Sequence, residues 1–362
     1  MSLETPLIAL HNTAGATIGE YFGTLLPSRF GEFAAEYAAL RETVALFDTN
    51  YRALFSFTGP DRNRYLNAIL TSDVRDLKPG QGAVGLFLTA QGHMLAEIET
   101  YALEDRILTS SHAMVRERTF STLDKYIIMD DVTLEDVTAE TGTLDLAGPR
   151  AAALVSELCG KNLAEMALLS HAEATAGQIA CRIIRRELAG EAAATLIISR
   201  EHLPAVWSDL STLVRAHGGS PIGMEAVNSV RLEAGTPWFG ADYDDKQIPH
   251  EAGLEHSHIS YEKGCYTGQE IVERVRSRGH VNRRLTELRF LADAAPASGT
   301  KLFSGGNEVG VVTSTGFSPT IRGPIGLAYV RREHSAVGTS LDASGIPAEV
   351  ITAPLLTKKT SA

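Results

Sequence analysis

Cysteine is scarce in this chain. Three occur in 362 residues, Cys159, Cys181 and Cys265, far apart and odd in number. With no C-x-x-C pair, a disulfide framework, a zinc ribbon and a dithiol redox couple are all excluded. A cluster held by this chain alone is excluded too, because iron–sulfur clusters take four thiolates in compact spacing; a single cysteine could only share one with another molecule. Long hydrophobic runs are also missing. The opening MSLETPLIALHNTAGATIGEY carries Glu4 early, no basic leader and only a short apolar run, so neither signal peptide nor membrane span is expected, and the expected location is the cytoplasm. Positive charge is in short supply: 33 Lys and Arg against 44 Asp and Glu leave a net charge of -11. That balance disfavours nucleic acid as a partner, so any attraction for anions must be local.

What is present is enough apolar residue, 44%, for a large core and two or three domains. One local basic stretch stands out. Lys263, Arg274, Arg276, Arg278, Arg283 and Arg284 face only Glu270 and Glu273, a net +4 inside an acidic chain. Such a run is either a solvated helix face or an anion site, and its position directly after a cysteine loop favours the anion site.

The apolar spacing of Phe33, Tyr37, Leu40, Val44 and Phe47 predicts an amphipathic helix over 31–47. YRALFSFTGPDRNRYLNAIL then reads as a strand, a Gly59-Pro60 corner and a helix, followed by a strand pair about the AQGH turn at 90–93. TLDLAGPRAAALVSELC repeats strand, Gly-Pro and apolar helix, with Gly148 placed 89 residues after Gly59. QIACRIIRREL and AAATLIIS continue as strands about Ala189-Gly190-Glu191, and LPAVWSDLSTLVRA as a helix. This internal repeat predicts two α+β lobes, each an antiparallel sheet with helices on one face. After about residue 285, short β-type runs broken by Gly and Pro, with a GGN hairpin turn at 305–307, predict a small barrel. The expected boundaries are 1–140 for the N-terminal helix region and first lobe, 141–280 for the second lobe, and 281–362 for the barrel.

EKGCYTGQEIV at 262–272 carries the chemistry. Thr267 followed by Glu270 and then Ile271, Val272 and Val275 is a capping-box pattern, with Gly279 as the expected helix stop. Cys265 then lies near a helix N-terminus and near Lys263, both of which favour a thiolate, while Gly264 and Gly268 permit close backbone approach to a ligand. Free cysteines are most often small buried hydrophobes, and Cys159 and Cys181 are read that way. Cys265 is read as a reactive thiol. His250, His256 and His258 invite a metal reading, but only His256 and His258 would share a strand face, and further ligands are lacking, so they are read as polar strand residues.

RLEAGTPWFGADYDDKQIPHEAGLE at 231–255 and LFDTNYRALFSFTGPDRNRYLNAILTSDVRDLKPGQGAVGLFLTAQG near the N-terminus resemble the folate-binding aminomethyltransferase fold, that of the glycine cleavage T-protein and its relatives. KGCYTGQE at 263–270 resembles the hallmark of the YgfZ branch, tetrahydrofolate-binding factors that help assemble or repair iron–sulfur proteins. The resemblance implies an α+β fold, two related antiparallel α/β sandwich lobes plus a C-terminal β-barrel, as a ring around a central folate channel. It implies reduced folate as cofactor and iron–sulfur client proteins as partners. Lys263 and Cys265 fall on the branch's signature lysine and cysteine, and Arg231 on the arginine of RLEAG. Cys265 is then the working thiol, and Lys263, Arg231, Glu97, Tyr266 and Arg276 the folate-binding residues. The transferases' acidic pair falls on Ala96 and Glu97, their pterin-binding glutamate on Thr195, and an arginine before RLEAG on Val227. These departures leave open whether the chain is an enzyme. The alternatives are a folate-dependent aminomethyltransferase and a folate-binding tRNA-modification factor.

Overall fold

The computed structural model of the protein describes residues 2–355. They divide into two compact units: one made of the chain through Phe87, Leu95–Val227 and Ile259–Tyr266, the other of Leu88–Met94, Asn228–His258 and the chain from Thr267 on.

The first unit opens with a three-stranded sheet of β1 (Leu3–Glu4), β2 (Thr17–Tyr21) and a central β3 (Thr24–Arg29), with helices α1 (Ile8–Thr13) and α2 (Phe33–Glu42). The helix predicted over 31–47 is therefore correct only in its first part. The chain leaves helix at Thr43, and β4 (Ala45–Asp48) pairs with a later strand while burying all four of its residues. An apolar run satisfies either helix or strand periodicity, and here the long-range ladder wins. Glu36 on α2 anchors this corner, its buried carboxylate accepting the backbone N–H groups of Phe30, Gly31 and Gly223 at 2.6, 2.7 and 2.8 Å.

The two larger sheets follow the repeat seen in the sequence. The first runs through β5 (Arg52–Thr58), α3 (Arg62–Ile69), β6 (Gly82–Leu88), β7 (Met94–Ala102), β8 (Ile107–His112), α4 (Arg116–Tyr126) and β9 (Thr133–Asp136), in the order β6-β7-β8-β5-β9. The second runs through β10 (Thr141–Ala147), α5 (Ala151–Cys159), β11 (His171–Ala176), β12 (Ile179–Leu188), β13 (Glu191–Ser199), α6 (Leu203–Ala216) and β14 (Ser220–Pro221), in the order β11-β12-β13-β10-β4-β14. In both, the strand before the Gly-Pro corner ends up beside the last strand of the following meander. Gly59 and Gly148 at those corners have φ of 97° and 116°, and a Cβ there would lie 2.2 Å from Asp131 O and 2.8 Å from Thr43 O, so only glycine fits.

Strand alternation sorts the side chains. Leu144 and Leu146 of β10 and Ala194, Leu196 and Ile198 of β13 pack on α5 and α6. The opposite face sends Ile184 and Ile197 against Leu54, Tyr101 and Leu108 of the first sheet. The helix-free faces of the two sheets thus meet, and polar residues on those faces are enclosed between them.

The second unit contains a closed barrel of β15 (Arg283–Phe290), β16 (Lys301–Ser304), β17 (Asn307–Ser318), β18 (Gly323–Arg331), β19 (Ser340–Asp342) and β20 (Pro347–Val350), ordered β15-β18-β17-β16-β19-β20. Leu288, Phe290, Leu302, Val312 and Val330 fill it, and the GGN turn joins β16 to β17. This is the α+β lobe-and-barrel architecture predicted. No helix among the described residues is long and apolar enough to cross a membrane.

Outside the barrel wall, Glu287 of β15 lies near Glu233 of helix α7 (Met224–Glu233). Glu287 is buried, and neither carboxyl oxygen has a hydrogen-bond partner among the described residues. Burial first, and then the Glu233 charge, push its pKa up to about 8. An unfolded glutamate titrates near ~4.3. Between that pH and about 8 the unfolded chain has released a proton that the folded chain keeps, so stability falls as pH rises through this window. Glu287→Gln is expected to flatten this slope and to raise Tm at pH 8 by several degrees, at ~2–4 °C per kcal/mol. Thermal unfolding between pH 4 and 8 tests it; an unchanged slope would contradict it.

Candidate functional site

The alternation along MLAEIETYA puts Glu97, Glu99 and Tyr101 of β7 on the face that meets the second sheet, and Ala96, Ile98 and Thr100 on the other. Glu99 is the hub. Its two oxygens take both Nη groups of Arg186 from β12 in short charge-assisted bonds, Arg52 Nη1 from β5 at 3.1 Å, and the Tyr101 hydroxyl at 2.6 Å. Burial alone would raise the Glu99 carboxyl; Arg186 and then Arg52 outweigh it and hold the group well below the usual carboxylate range. Arg186 also donates from Nη2 to the Tyr101 hydroxyl at 2.9 Å and from Nε to Thr195 Oγ1 at 3.1 Å. Thr195 passes the chain on, donating at 2.7 Å to Asp145 Oδ1, its direct cross-strand partner on β10, which also accepts from Thr49 Oγ1 at 3.1 Å. Within this buried cluster the two guanidinium groups of Arg52 and Arg186 face the two carboxylates of Glu99 and Asp145, and Glu97 adds a third carboxylate on the same face of β7.

An aromatic wall adjoins this floor. Phe22 and Tyr51 have ring centroids 4.3 Å apart, and the His112 ring stacks on Tyr51 at 5.7 Å and 18°. Burial pulls the His112 imidazole down to about 4, so it is neutral at pH 7, and pushes the Tyr51 hydroxyl up to about 12. A flat apolar wall beside a floor of fixed acceptors is suited to a planar heterocycle.

The residues picked from the sequence are placed differently. Glu97 is half-buried on the slot-facing side of β7. Arg231 is sealed in the second unit, bonded to Asp242 in a short ion pair, to Asn228 Oδ1 at 2.9 Å and to Thr236 O at 3.1 Å, with its guanidinium 4.4 Å over the Trp238 ring. Asp242 in turn accepts from Thr313 Oγ1 at 2.5 Å and from Ser314 on β17, so this pair fastens α7 to the barrel. Lys263, expected as a free cation, spends all three donors on the carbonyls of Asn67, Leu70 and Ser72, at 2.6, 2.6 and 2.7 Å. Those are carbonyls at and just past the end of α3, and the ammonium caps them. Burial pulls its pKa down to about 8. Tyr266 is buried, its ring 5.4 Å from the Lys263 ammonium.

Cys265 is exposed. The cation passing its loop is Arg75, whose Nη2 would lie 3.5 Å from a Cβ built on Gly264. The capping box does not form. Helix α8 (Gln269–Arg278) begins after Gly268 in a left-handed conformation without a side-chain cap, and Glu270 pairs forward with Arg274 at 2.8 Å instead. Gly268 is required internally, because a Cβ there would sit 2.6 Å from Thr89 O. Gly279 ends α8 as predicted. The basic run is largely neutralised: Arg276 lies 3.5 Å from Glu273 on the surface, where such pairs hold weakly, and Arg283 makes a two-pronged, half-buried pair with Glu251 at 2.9 and 3.2 Å. The segment 250–258 is turns rather than strand, and among the described residues no group of three His, Cys, Asp or Glu is placed to hold a metal.

The profile of the GCVT N-terminal domain matches residues 7–260, and that of the glycine cleavage T-protein C-terminal barrel domain matches 283–356. The chain belongs to the glycine cleavage T-protein family. An aminomethyltransferase of Saccharopolyspora erythraea is 28% identical over 357 residues, covering 97% of each chain. One of Herpetosiphon aurantiacus is 29% identical, covering 94% of this chain and 93% of that one. The crystal structure of the glycine cleavage system aminomethyltransferase T from Bartonella henselae superposes with a TM-score of 0.88 at 25% identity over 98% of each chain.

Ala96 is on the helix side of β7 and fully buried, so this position does not reach the cluster around Glu99. Thr195 lies on the slot floor, with an acid directly across from it at Asp145. Arg52, Glu99, Tyr101, His112, Asp145 and Arg186 were not singled out from the sequence. The available signals were charged residues set in otherwise apolar strands: Asp145 in TLDLAGP, Arg186 in IACRIIRREL, and the E-x-E-x-Y spacing on β7.

Two outcomes follow from Lys263 and Cys265. Lys263→Met strands three carbonyls and should cost about 2–4 kcal/mol in denaturant unfolding. Cys265→Ser should change stability by less than about 0.5 kcal/mol. A bulky alkylating reagent should label native Cys265 well before half-buried Cys159 or buried Cys181; equal labelling would contradict the exposed placement of its loop.

Proposed function

We propose that the chain binds a reduced folate, tetrahydrofolate or a one-carbon derivative, in the slot between the sheets of the first unit. Membership of the T-protein family supports this, as do the Phe22–Tyr51–His112 wall, suited to stacking a pterin, and the oriented acceptors beside it, suited to its N–H-rich edge.

In the finer reading the folate-bound protein serves iron–sulfur cluster assembly or repair, with Cys265 as the working thiol. The observation that carries it is the exposure of Cys265 on KGCYTGQE, a loop whose Lys263, two residues before the thiol, is bonded to three carbonyls. A second reading, aminomethyl transfer, is favoured by the end-to-end likeness to aminomethyltransferases and by Glu97, which keeps one acid of the pair on the slot face.

Calorimetry with tetrahydrofolate tests the shared premise, and absence of heat with folded protein removes it. Cells lacking the protein, complemented with wild type or Cys265→Ser, separate the two uses. Iron–sulfur enzyme activities restored by wild type and not by Cys265→Ser support the first. Steady turnover with an aminomethylated lipoyl carrier protein, together with loss of glycine cleavage in the deleted cells, supports the second and overturns the first.

A further inference from the structure

We propose that Cys159 and Cys181 form a peroxide-sensitive thiol pair, a site of reversible disulfide formation between the second sheet and its helix α5, outside the slot and apart from Cys265. In the sequence the two stand 22 positions apart with no C-x-x-C spacing, and each by itself reads as a small buried hydrophobe. Only the fold brings them together.

Alternation along β12 turns Cys181 and Ile183 toward the helix-side core and Ile184 toward the first sheet. α5 packs against β11 and β13, the two strands that flank β12, so it lies over the strand that carries Cys181. Its inward stripe is Ala151, Leu154, Val155, Leu158 and Cys159, at helical spacing, and Cys159 is its last residue. There the two thiols meet, Cys159 Sγ–H donating to Cys181 Sγ. That bond, and burial after it, push the Cys159 thiol well above its ordinary range, while the same bond pulls Cys181 down. The shared proton rests on Cys159, and Cys181 carries the thiolate character. Gly160 follows in a left-handed conformation, with nothing within 4 Å of a Cβ built on it. The chain leaves the helix into open space directly after Cys159, which gives that residue room to close from a hydrogen-bonded contact to an S–S bond of ~2.0 Å.

Cys181 is 8% exposed and Cys159 half-buried, so the oxidant that fits is a small hydroperoxide rather than a bulky disulfide. The Cys181 thiolate attacks one oxygen of hydrogen peroxide, the O–O bond breaks, and the departing hydroxide takes up the proton that Cys181 gave away, leaving as water and Cys181 as a sulfenic acid. The Cys159 sulfur then attacks the Cys181 sulfur. The S–S bond forms, the S–O bond breaks, and the hydroxyl leaves with the Cys159 proton as a second water. Two electrons pass from the thiol pair to one hydrogen peroxide, and a dithiol reductant returns them. The new bond ties the end of α5 to β12 and closes the segment that holds β11 into a covalent loop.

Peptide mapping tests the proposal. Native wild type is capped at exposed Cys265 with a bulky maleimide, treated with hydrogen peroxide and digested without reductant. The expected product is a pair of peptides joined through Cys159 and Cys181, two hydrogens lighter than its separate parts and released by dithiothreitol. Cys159→Ser should leave Cys181 as a sulfenic acid that dimedone traps, and Cys181→Ser should lose the reaction at Cys159. The wild-type arm does not depend on either variant folding. Unlinked peptides carrying added oxygen, or both thiols intact at a dose that oxidises uncapped Cys265, would overturn the pair, and so would undiminished oxidation of Cys159 in folded Cys181→Ser.

Discussion

A carboxylate buried between two sheets must be neutralised, and in this protein Glu99 is neutralised from both sides at once. Arg52 reaches it from β5 of its own sheet and Arg186 from β12 of the other, so the electrostatic requirement of one residue joins the two halves of the repeat. Either arginine alone would face the cost of a desolvated charge; around Glu99 and Asp145 the set is balanced. The apolar contacts of Leu54, Tyr101, Leu108, Ile184 and Ile197 bring the sheets together, but they carry no direction. The ion cluster fixes which residues of the two faces meet.

The same constraint shapes what the slot can do. Because the guanidinium groups are committed to carboxylates, the floor offers a ligand oriented acceptors and a neutral aromatic wall rather than a bare positive charge. Recognition here depends on hydrogen-bond pattern and flatness. The cations that would attract an anion by charge alone lie elsewhere, on the surface helix α8 and at the start of β15, already beside carboxylates.

Buried charged residues hold the chain together at several other points. Lys263 caps the end of α3, Arg231 with Asp242 fastens α7 to the barrel, and Glu36 gathers three backbone N–H groups. In each case a buried ionic group is paid for by several hydrogen bonds within its own unit. Cys265 is the contrast: it sits two residues after the buried Lys263, with its own side chain exposed.

The architecture was legible in the sequence: the two strand, Gly-Pro, helix segments, the hairpins at AQGH and Ala189-Gly190, and the barrel with its GGN turn. These depend on periods of two and 3.6 residues and on turn chemistry, which are local properties of the chain. Three things come from tertiary packing: that Ala45–Asp48 is a strand, that it is Glu97 rather than Ala96 that faces the second sheet, and that Glu99, Asp145, Arg52 and Arg186 share one buried cluster. Those four residues come from β7, β10, β5 and β12, as far as 134 positions apart. No local pattern links them, since what unites them is a strand register and the cost of leaving a buried charge alone.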